Sequence, residues 1–235
     1  MNYLRKQITK IDVIISFLLA IIIVFAVAVG RKFHTEINIT TQVMIGLLLG
    51  TVVFVVLVFR DRLIQKRYKY EKGLKGEDYL KNKIKNGLKD IHYHLLSNIN
   101  NNHRGDIDFV LICEHGIYCI ENKNINGRIW YDKNSRKLKV NNFSKNYIGQ
   151  VQGNARYIRN KLIENGVKID FVEPILVMNN YFLDKVPPKI SNTKIFYADK
   201  FVEFINKQKA EEGNRLNIDS VLDILKKYDQ KKNRR

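Results

Sequence analysis

Two long uncharged segments near the N-terminus constrain this chain of 235 residues more than any other feature. Residues 13–30 are nearly all apolar, and residues 37–59 also lack charged side chains. Each segment is long enough to cross the hydrocarbon layer of a membrane as a helix. Buried core helices are the alternative, but such helices are seldom apolar on every side. The sequence therefore predicts two membrane spans, at about residues 12–30 and 40–59.

The basic residues around these segments are unevenly placed. Three precede the first segment, at Arg5, Lys6 and Lys10, and five follow the second within residues 60–69. The connecting segment 31–36 holds two basic residues and one acidic residue. Because lysine and arginine mark the cytoplasmic side, we expect a multi-pass protein of the cell membrane, with both termini and the rest of the chain in the cytoplasm. Cleavage at the signal-peptidase-like site Ala26-Val-Ala28 is an alternative that leaves the rest of the chain in the same place.

The positive charge of the chain lies mostly after the second apolar segment. Residues 60–235 hold 36 of the 41 basic residues and 21 of the 23 acidic residues, a net charge of +15. Such a charge favours polyanions, including nucleic acid and anionic lipid. We interpret the lysines of residues 81–89, 133–145 and 184–209 as a surface that faces nucleic acid, with solubility alone as the alternative.

A β-hairpin is predicted for residues 107–122. Two runs within it, residues 109–113 and 117–120, are rich in β-branched, aromatic and small apolar side chains, which are typical of strands. Gly116 can adopt the positive φ that a tight turn needs. A two-residue turn at His115-Gly116 would pair Val110 with Glu121 and Asp108 with Lys123.

This register places Asp108, Glu121 and Lys123 on one face of the hairpin, because opposed residues and residues two apart share a face. Two carboxylates and a lysine are the components of a metal-dependent phosphodiesterase site. Mg²⁺ usually takes one or two protein carboxylates and keeps waters that a phosphate can replace, and a lysine can stabilise the developing anion. We predict Asp108 and Glu121 as ligands of Mg²⁺ or Mn²⁺, with Asp106 as a competing ligand. A surface hairpin with ordinary exposed charges is the alternative.

Two predicted helices carry further candidate residues. Glu77 shares a helix face with Leu80 and Ile84, and an acidic residue on an apolar face needs a partner. Gln150 lies at the edge of the apolar stripe of a second helix, where its amide could reach a phosphate or a metal-bound water. The alternatives are a glutamate favoured by the helix dipole and a solvated glutamine.

Taken in order, these residues resemble the NERD (nuclease-related) domain of the PD-(D/E)xK nuclease-like superfamily. The resemblance implies a restriction-endonuclease-like fold that cleaves nucleic acid. By position it makes Glu77 the helix-borne acid, Asp108 and Glu121 the metal ligands, Lys123 the catalytic lysine and Gln150 the helix-borne glutamine. The proline that precedes the superfamily aspartate is replaced by isoleucine. The motifs are Gly73-x-x-Gly76-Glu77, Gly105-x-Ile107-Asp108, Glu114-His-Gly-Ile-Tyr118, Ile120-Glu121-Asn-Lys123-Asn, Gly127-x-Ile129 and Gln150.

The order of elements predicts an α/β fold, a mixed sheet flanked by helices after a two-helix transmembrane hairpin. We divide the chain into a membrane anchor (1–61), a charged helical linker (62–72), a nuclease-like domain (73–206) and a C-terminal helix with a basic tail (207–235). The predicted elements are a helix at 74–88, strands at 91–97, 127–131, 137–141, 171–178 and 194–197, the hairpin, and helices at 147–165, 199–205 and 219–228.

These observations favour a membrane-anchored, metal-dependent nuclease, with DNA favoured over RNA as its substrate. A non-catalytic module that holds nucleic acid or a protein at the membrane is the first alternative, but such a module has no need for an acidic pair within a basic surface. A membrane protein with structural hairpin charges and a protein partner is the second. The sequence has no glycine-rich phosphate loop, so we expect no ATP hydrolysis. We expect Cys113 and Cys119 to be packing residues.

Overall fold

The structure, a computed structural model, divides into two compact units, residues 1–74 and residues 75–235. The basic tail predicted for residues 230–235 lies outside the described residues. The structure describes residues 3–32, 38–101, 105–135, 137–141, 143–179, 182–184, 186–208 and 217–228.

The N-terminal unit is built from helices. α1 spans Tyr3–Lys32, and α2 spans Ile39–Gly87 and runs through the charged segment 62–72 without a break. By length and composition, each helix contains an apolar stretch that could cross a membrane, within Arg5–Val24 and Val43–Gly87. Almost none of either stretch is buried in the part of the chain that the structure describes. They therefore differ from the core helices of a soluble protein, which bury at least one face.

In the residues that the structure describes, the second unit contains two sheets and three helices besides α2. The larger sheet has the strand order β1-β2-β3-β7-β10-β9, and the smaller has the order β6-β5-β4-β8. In the larger sheet β7 is parallel to β3 and to β10, whereas β1, β2 and β3 form an antiparallel meander. The elements are β1 (Tyr93–Asn101), β2 (Gly105–Cys113), β3 (Gly116–Asn124), β4 (Arg128–Asp132), β5 (Lys137–Val140), β6 (Phe143–Lys145), α3 (Tyr147–Glu164), β7 (Glu173–Asn179), β8 (Phe182–Asp184), β9 (Lys189–Ile190), β10 (Thr193–Phe196), α4 (Ala198–Lys207) and α5 (Ile218–Lys226).

Helices cover both faces of the larger sheet. On one face α3 and α5 form a core with β2 and β3, in which Val110 and Cys119 pack with Ile158. On the other face the end of α2 and α4 pack on the same strands, with Leu80 and Phe201 in the core. The prediction of an α/β fold with a mixed sheet flanked by helices is therefore confirmed. The short strands β6, β8 and β9 were not predicted, because two or three residues leave no periodicity to detect.

The β2–β3 hairpin turns one residue earlier than predicted. Cys113 pairs with Gly116 and Val110 pairs with Cys119, so the turn is Glu114-His115. Gly116, with a φ of 140°, begins β3 instead of closing the turn. The predicted pairing of Val110 with Glu121 is wrong by two residues. Because side chains alternate with a period of two, this shift leaves every residue on its predicted face.

Candidate active site

Glu121 lies at the centre of the candidate site. It is only 1% exposed on β3, and its carboxylate is surrounded by donors. Lys123 Nζ and Gln150 Nε2 both donate to Glu121 Oε1, the second at 2.7 Å. Asn154 Nδ2 donates to Oε2 at 3.4 Å. A buried carboxylate needs such partners, because an unpaired charge in a protein interior is strongly destabilising.

Asp108 lies where β2 and β3 separate. The pairing of these strands ends at Phe109 and Ile120. One residue further, Asp108 Oδ2 accepts a hydrogen bond from the backbone N–H of Asn122 at 2.8 Å. The carboxylate thus accepts the hydrogen bond that a backbone carbonyl would accept in regular strand pairing. This hydrogen bond holds Asp108 beside Glu121.

The electrostatics of the site follow from this crowding. The pKa of Glu121 is raised to about 8, first by burial and then by the charge of Asp108, against the opposing effect of Lys123. Burial is also the main cause of the raised pKa of Asp108. For Lys123 burial acts in the opposite direction, but the two carboxylates outweigh it and raise the pKa of the ammonium group. Two carboxylates that share one cationic side chain form a site that favours additional positive charge.

Glu77 belongs to the same cluster through its charge, which contributes to the raised pKa of Glu121. The preceding residue explains how its helix comes so close to β3. A Cβ at Gly76 would lie 2.5 Å from the Cβ of Asn124, so only glycine permits this approach of α2. Leu80, one turn further along α2, is fully buried in the core. The acidic side chain therefore lies at the edge of an otherwise apolar interface.

The first two turns of α3 supply three polar side chains at helical spacing. Tyr147 begins the helix, and the centre of its ring lies 5.3 Å from Lys123 Nζ. Gln150 follows three residues later and Asn154 four residues after that. Asn154 is 1% exposed, and its Oδ1 accepts a hydrogen bond from Asn101 Nδ2 at 3.0 Å. A chain of amides therefore leads from β1 through α3 to Glu121.

Comparison with known families gives this geometry a context. Residues 72–179 match the family described as NERD, Nuclease-related domain. The chain carries a nuclease-related domain. No curated protein and no solved structure matches the chain. The family resemblance seen in the sequence motifs is therefore confirmed, and the matched segment includes Glu77, Asp108, Glu121, Lys123 and Gln150.

The donor set of the nuclease-related domain fits a hard divalent cation. Within the described residues no cluster of three or more histidine, cysteine, aspartate or glutamate side chains could hold a metal. Two carboxylates, Asp108 and Glu121, are nevertheless what Mg²⁺ commonly takes from a protein, since it keeps most of its waters. The charge of Asp106 raises the pKa of Asp108, which places this competing ligand within electrostatic reach.

The structure brings all five predicted site residues of the nuclease-related domain into one cluster. Lys123 and Gln150 bond directly to Glu121. The charges of Asp108 and Glu77 raise its pKa. Sequence reasoning missed Tyr147, Asn154 and Asn101. A signal was present for Asn154, which lies on the buried stripe of α3 beside Val151 and Ala155. A polar residue on an apolar stripe needs a partner, as the same reasoning recognised for Glu77.

Proposed function

We propose that this protein is a membrane-anchored, metal-dependent nuclease that hydrolyses phosphodiester bonds on the cytoplasmic side, with DNA favoured over RNA. The observation that carries the proposal is the buried carboxylate of Glu121, placed beside Asp108 and bonded to Lys123. A purely structural role explains this cluster poorly, because replacing a buried ion pair by apolar residues is often neutral or stabilising. A metal-dependent nuclease, by contrast, uses two carboxylates to bind its cation and a lysine to stabilise the developing negative charge.

The roles of the side chains follow from their positions. Asp108 and Glu121 would hold Mg²⁺ or Mn²⁺, which lowers the pKa of a bound water and neutralises charge on the phosphate. Lys123, which bonds to Glu121, would supply an ammonium group that can stabilise the negative charge developing on the phosphate. Gln150 keeps Glu121 oriented through its hydrogen bond of 2.7 Å. The net charge of +15 on residues 60–235 attracts the polyanionic substrate.

An assay of the full-length protein in an uncharged detergent tests this proposal. Supercoiled plasmid, linear DNA and RNA are each incubated with Mg²⁺, with Mn²⁺ and with EDTA. We expect cleavage only with a divalent metal, DNA to be cut faster than RNA, and no cleavage by Asp108→Asn or Glu121→Gln. Glu114→Gln is the matched control, because this exposed carboxylate lies in the turn of the same hairpin.

The outcomes of this assay separate the candidate functions. Cleavage in EDTA, or full activity in both carboxylate variants, would refute the site. Binding of nucleic acid without cleavage under any metal condition would favour a non-catalytic module at the membrane.

Two observations support the membrane anchor. Both helices of the N-terminal unit have an apolar stretch that could cross a membrane. In addition, Arg67 Nη1 lies 3.0 Å from Asp12 Oδ1 within this unit. The pair joins the start of α1 to the part of α2 that follows its apolar stretch. Two spans connected in this way would bring both outer ends to the same side of the bilayer, as the basic residues predict.

Cysteine labelling on intact cells tests the topology. Thr40→Cys and Asn233→Cys are made separately in a chain whose Cys113 and Cys119, both buried, are replaced by alanine. An impermeant thiol reagent should label position 40 and leave position 233 unlabelled. The reverse pattern would put the nuclease-related domain outside the cell and would exclude a cytoplasmic substrate.

A further inference from the structure

The edge strand β6 presents side chains that the catalytic cluster does not use. Phe143 is 71% exposed, which is unusual for a large aromatic residue on a strand. It pairs with Val140, and Lys145 pairs with Leu138. Because opposed residues share a face, Phe143 and Lys145 lie on the face of the small sheet that also carries the buried Val140 and Leu138. They extend this face past the end of the core and remain exposed.

This exposed edge leads directly to the candidate active site. α3 begins at Tyr147, two residues after Lys145, and the ring of Tyr147 packs against the core beneath the small sheet. Lys123 lies 5.3 Å from the centre of that ring, and Lys123 bonds to Glu121. Aromatic and basic side chains therefore alternate from the edge strand to the catalytic cluster, in the order Phe143, Lys145, Tyr147 and Lys123. We call these four residues the β6 track.

The small sheet that carries the track is rich in basic residues. With its first turn it holds the exposed residues Arg128, Lys133, Lys137 and Lys145, of which Lys145 shares the face of Phe143, whereas Arg128 and Lys137 belong to the other face. The acidic residue Asp132 is engaged by Lys139 at 2.9 Å. An exposed aromatic ring among lysines is typical of a surface that binds nucleic acid, where bases stack on rings and phosphates meet ammonium groups.

We propose that the β6 track binds an unpaired nucleic-acid strand beside the phosphate to be cleaved, with a base stacked on Phe143 and a phosphate on Lys145. The proposal rests on the proposed function, because Lys123 is the catalytic end of the track. An unpaired strand fits better than a duplex, since a ring can stack only on a base whose face is free. Single-stranded segments, overhangs and frayed ends are therefore the substrate class that the track selects.

Binding measured without catalysis tests the track. The full-length protein in an uncharged detergent, with EDTA to prevent cleavage, is titrated into a fluorescently labelled single-stranded oligonucleotide and into its blunt duplex. Fluorescence anisotropy should show about tenfold tighter binding of the single strand, and Phe143→Ala should remove about tenfold of this affinity, the effect expected for the loss of one stacked base. Phe143→Tyr should restore binding.

Matched variants separate the track from the general positive charge. Lys145→Gln should lower the slope of log affinity against log salt by about 0.7, the value for one phosphate contact on a single strand. Lys168→Gln, an exposed lysine that follows the C-terminal end of α3 and lies outside the three lysine-rich segments, should leave affinity for the single strand largely unchanged. Phe171→Ala is the control for the aromatic residue, because Phe171 is 49% exposed just before β7, away from the site end of that strand.

Each further outcome has a defined meaning. Equal affinity of wild type and Phe143→Ala for the single strand, or equal wild-type affinity for single strand and duplex, would overturn the proposal. An anionic phospholipid is added to the micelles as a competitor of the strand for the edge. If the lipid displaces the strand from wild type but not from Phe143→Ala, and both proteins bind the strand equally without lipid, the edge binds a membrane surface and the proposal fails. If wild type cleaves nucleic acid but Phe143→Ala binds the single strand as tightly as wild type does, the track is refuted and the nuclease function is not. If Phe143→Ala weakens binding but wild type cleaves nothing, the nuclease function is refuted and the track is not.

Discussion

The two ends of the β2–β3 hairpin are built on different principles. At the turn end, five successive residue pairs hold the strands together, from Cys113–Gly116 to Phe109–Ile120, and the backbones satisfy each other. The side chains there are apolar and nearly all buried. At the other end the pairing stops, and Asp108 supplies a carboxylate to a backbone N–H that has lost its carbonyl partner. The apolar pairs of the first end stabilise the fold, and the second end holds the polar side chains of the candidate site.

Asp108 is the residue at which both neighbouring strands depart from regular pairing. On its other side, β1 pairs with β2 through Ser97–Phe109 and Ile99–Ile107 but omits Asp108. The residue opposite, Asn98, has a φ of 58°, a conformation that costs energy for any residue with a side chain. Local irregularity on both sides frees Asp108 from the sheet. The hairpin therefore gives up regular pairing at the end where it places a carboxylate beside Glu121.

Among variants that keep both carboxylates, the largest effect should come from the lysine at the open end. Lys123→Ala should slow cleavage by several orders of magnitude, because one preorganised charge at a reacting centre contributes about 3 kcal/mol or more. Lys123→Arg should restore little activity, since a guanidinium is wider and differently shaped. Single-turnover cleavage rates, measured beside Mg²⁺ affinity, test this prediction. Near-normal turnover in Lys123→Ala would show that the lysine is not catalytic.

The neighbouring residues Ile120 and Glu121 sharpen the comparison, because they belong to different ends. Ile120→Ala should lower the free energy of unfolding by about 3 kcal/mol, the usual cost of truncating a buried isoleucine. The folded fraction of this variant should still cleave, whereas Glu121→Gln should stay folded and not cleave. Chemical denaturation together with activity per folded molecule separates the two effects. Loss of activity in folded Ile120→Ala would mean that the paired end also shapes the site.

The sequence supports the face of the hairpin better than its register. Alternation assigns Asp108, Glu121 and Lys123 to one face in the predicted register and in any register shifted from it by an even number of residues. The identity of the turn depends on φ, and glycine suits the first residue of β3 as well as the turn itself. Register therefore required the structure, whereas the set of residues on the face depended only on whether the error in register was even or odd.

Contacts between distant segments were harder to predict. Gln150 could be assigned to a helix edge, but only the packing of α3 on β3 shows that its amide bonds to Glu121. Asn101 joins the site from the end of β1 through Asn154, at a sequence separation of 53 residues. No local pattern encodes such a pair. The hydrogen bond from Asn122 to Asp108 is equally hidden, because it arises from missing strand pairing.

The buried amide on α3 provides a smaller test of the open end. Asn154→Leu should lower metal affinity and cleavage by about 10- to 100-fold, because residues that orient a metal ligand typically contribute this much. Gln152→Leu is the matched control. Gln152 lies on the same helix as Asn154, but its amide bonds to Thr193 at 3.1 Å and not to Glu121. A structural role alone would change stability in Asn154→Leu and leave metal affinity intact. Isothermal titration with Mg²⁺ or Mn²⁺ therefore decides whether Asn154 positions Glu121.

The smallest effect concerns pH. It tests the open end of the hairpin, because the charge of Glu121 changes with pH. The pKa of Glu121 in the fold is about 8, above its ordinary value of 4.5, so the metal-free fold favours the protonated carboxyl. This contribution to stability is complete below pH 4.5 and is lost as pH rises through 8. A cation needs the carboxylate, so its affinity should rise about tenfold per pH unit up to that value. Thermal melts in EDTA should show wild type losing stability relative to Glu121→Gln between pH 5 and about 8. In parallel melts with Mg²⁺ and no EDTA, the metal should offset this loss most at the alkaline end. A wild type that gains stability over Glu121→Gln across this interval would show that Glu121 is ionised in the fold without a metal, and the open end would then be a settled ion pair instead of a site prepared for a cation.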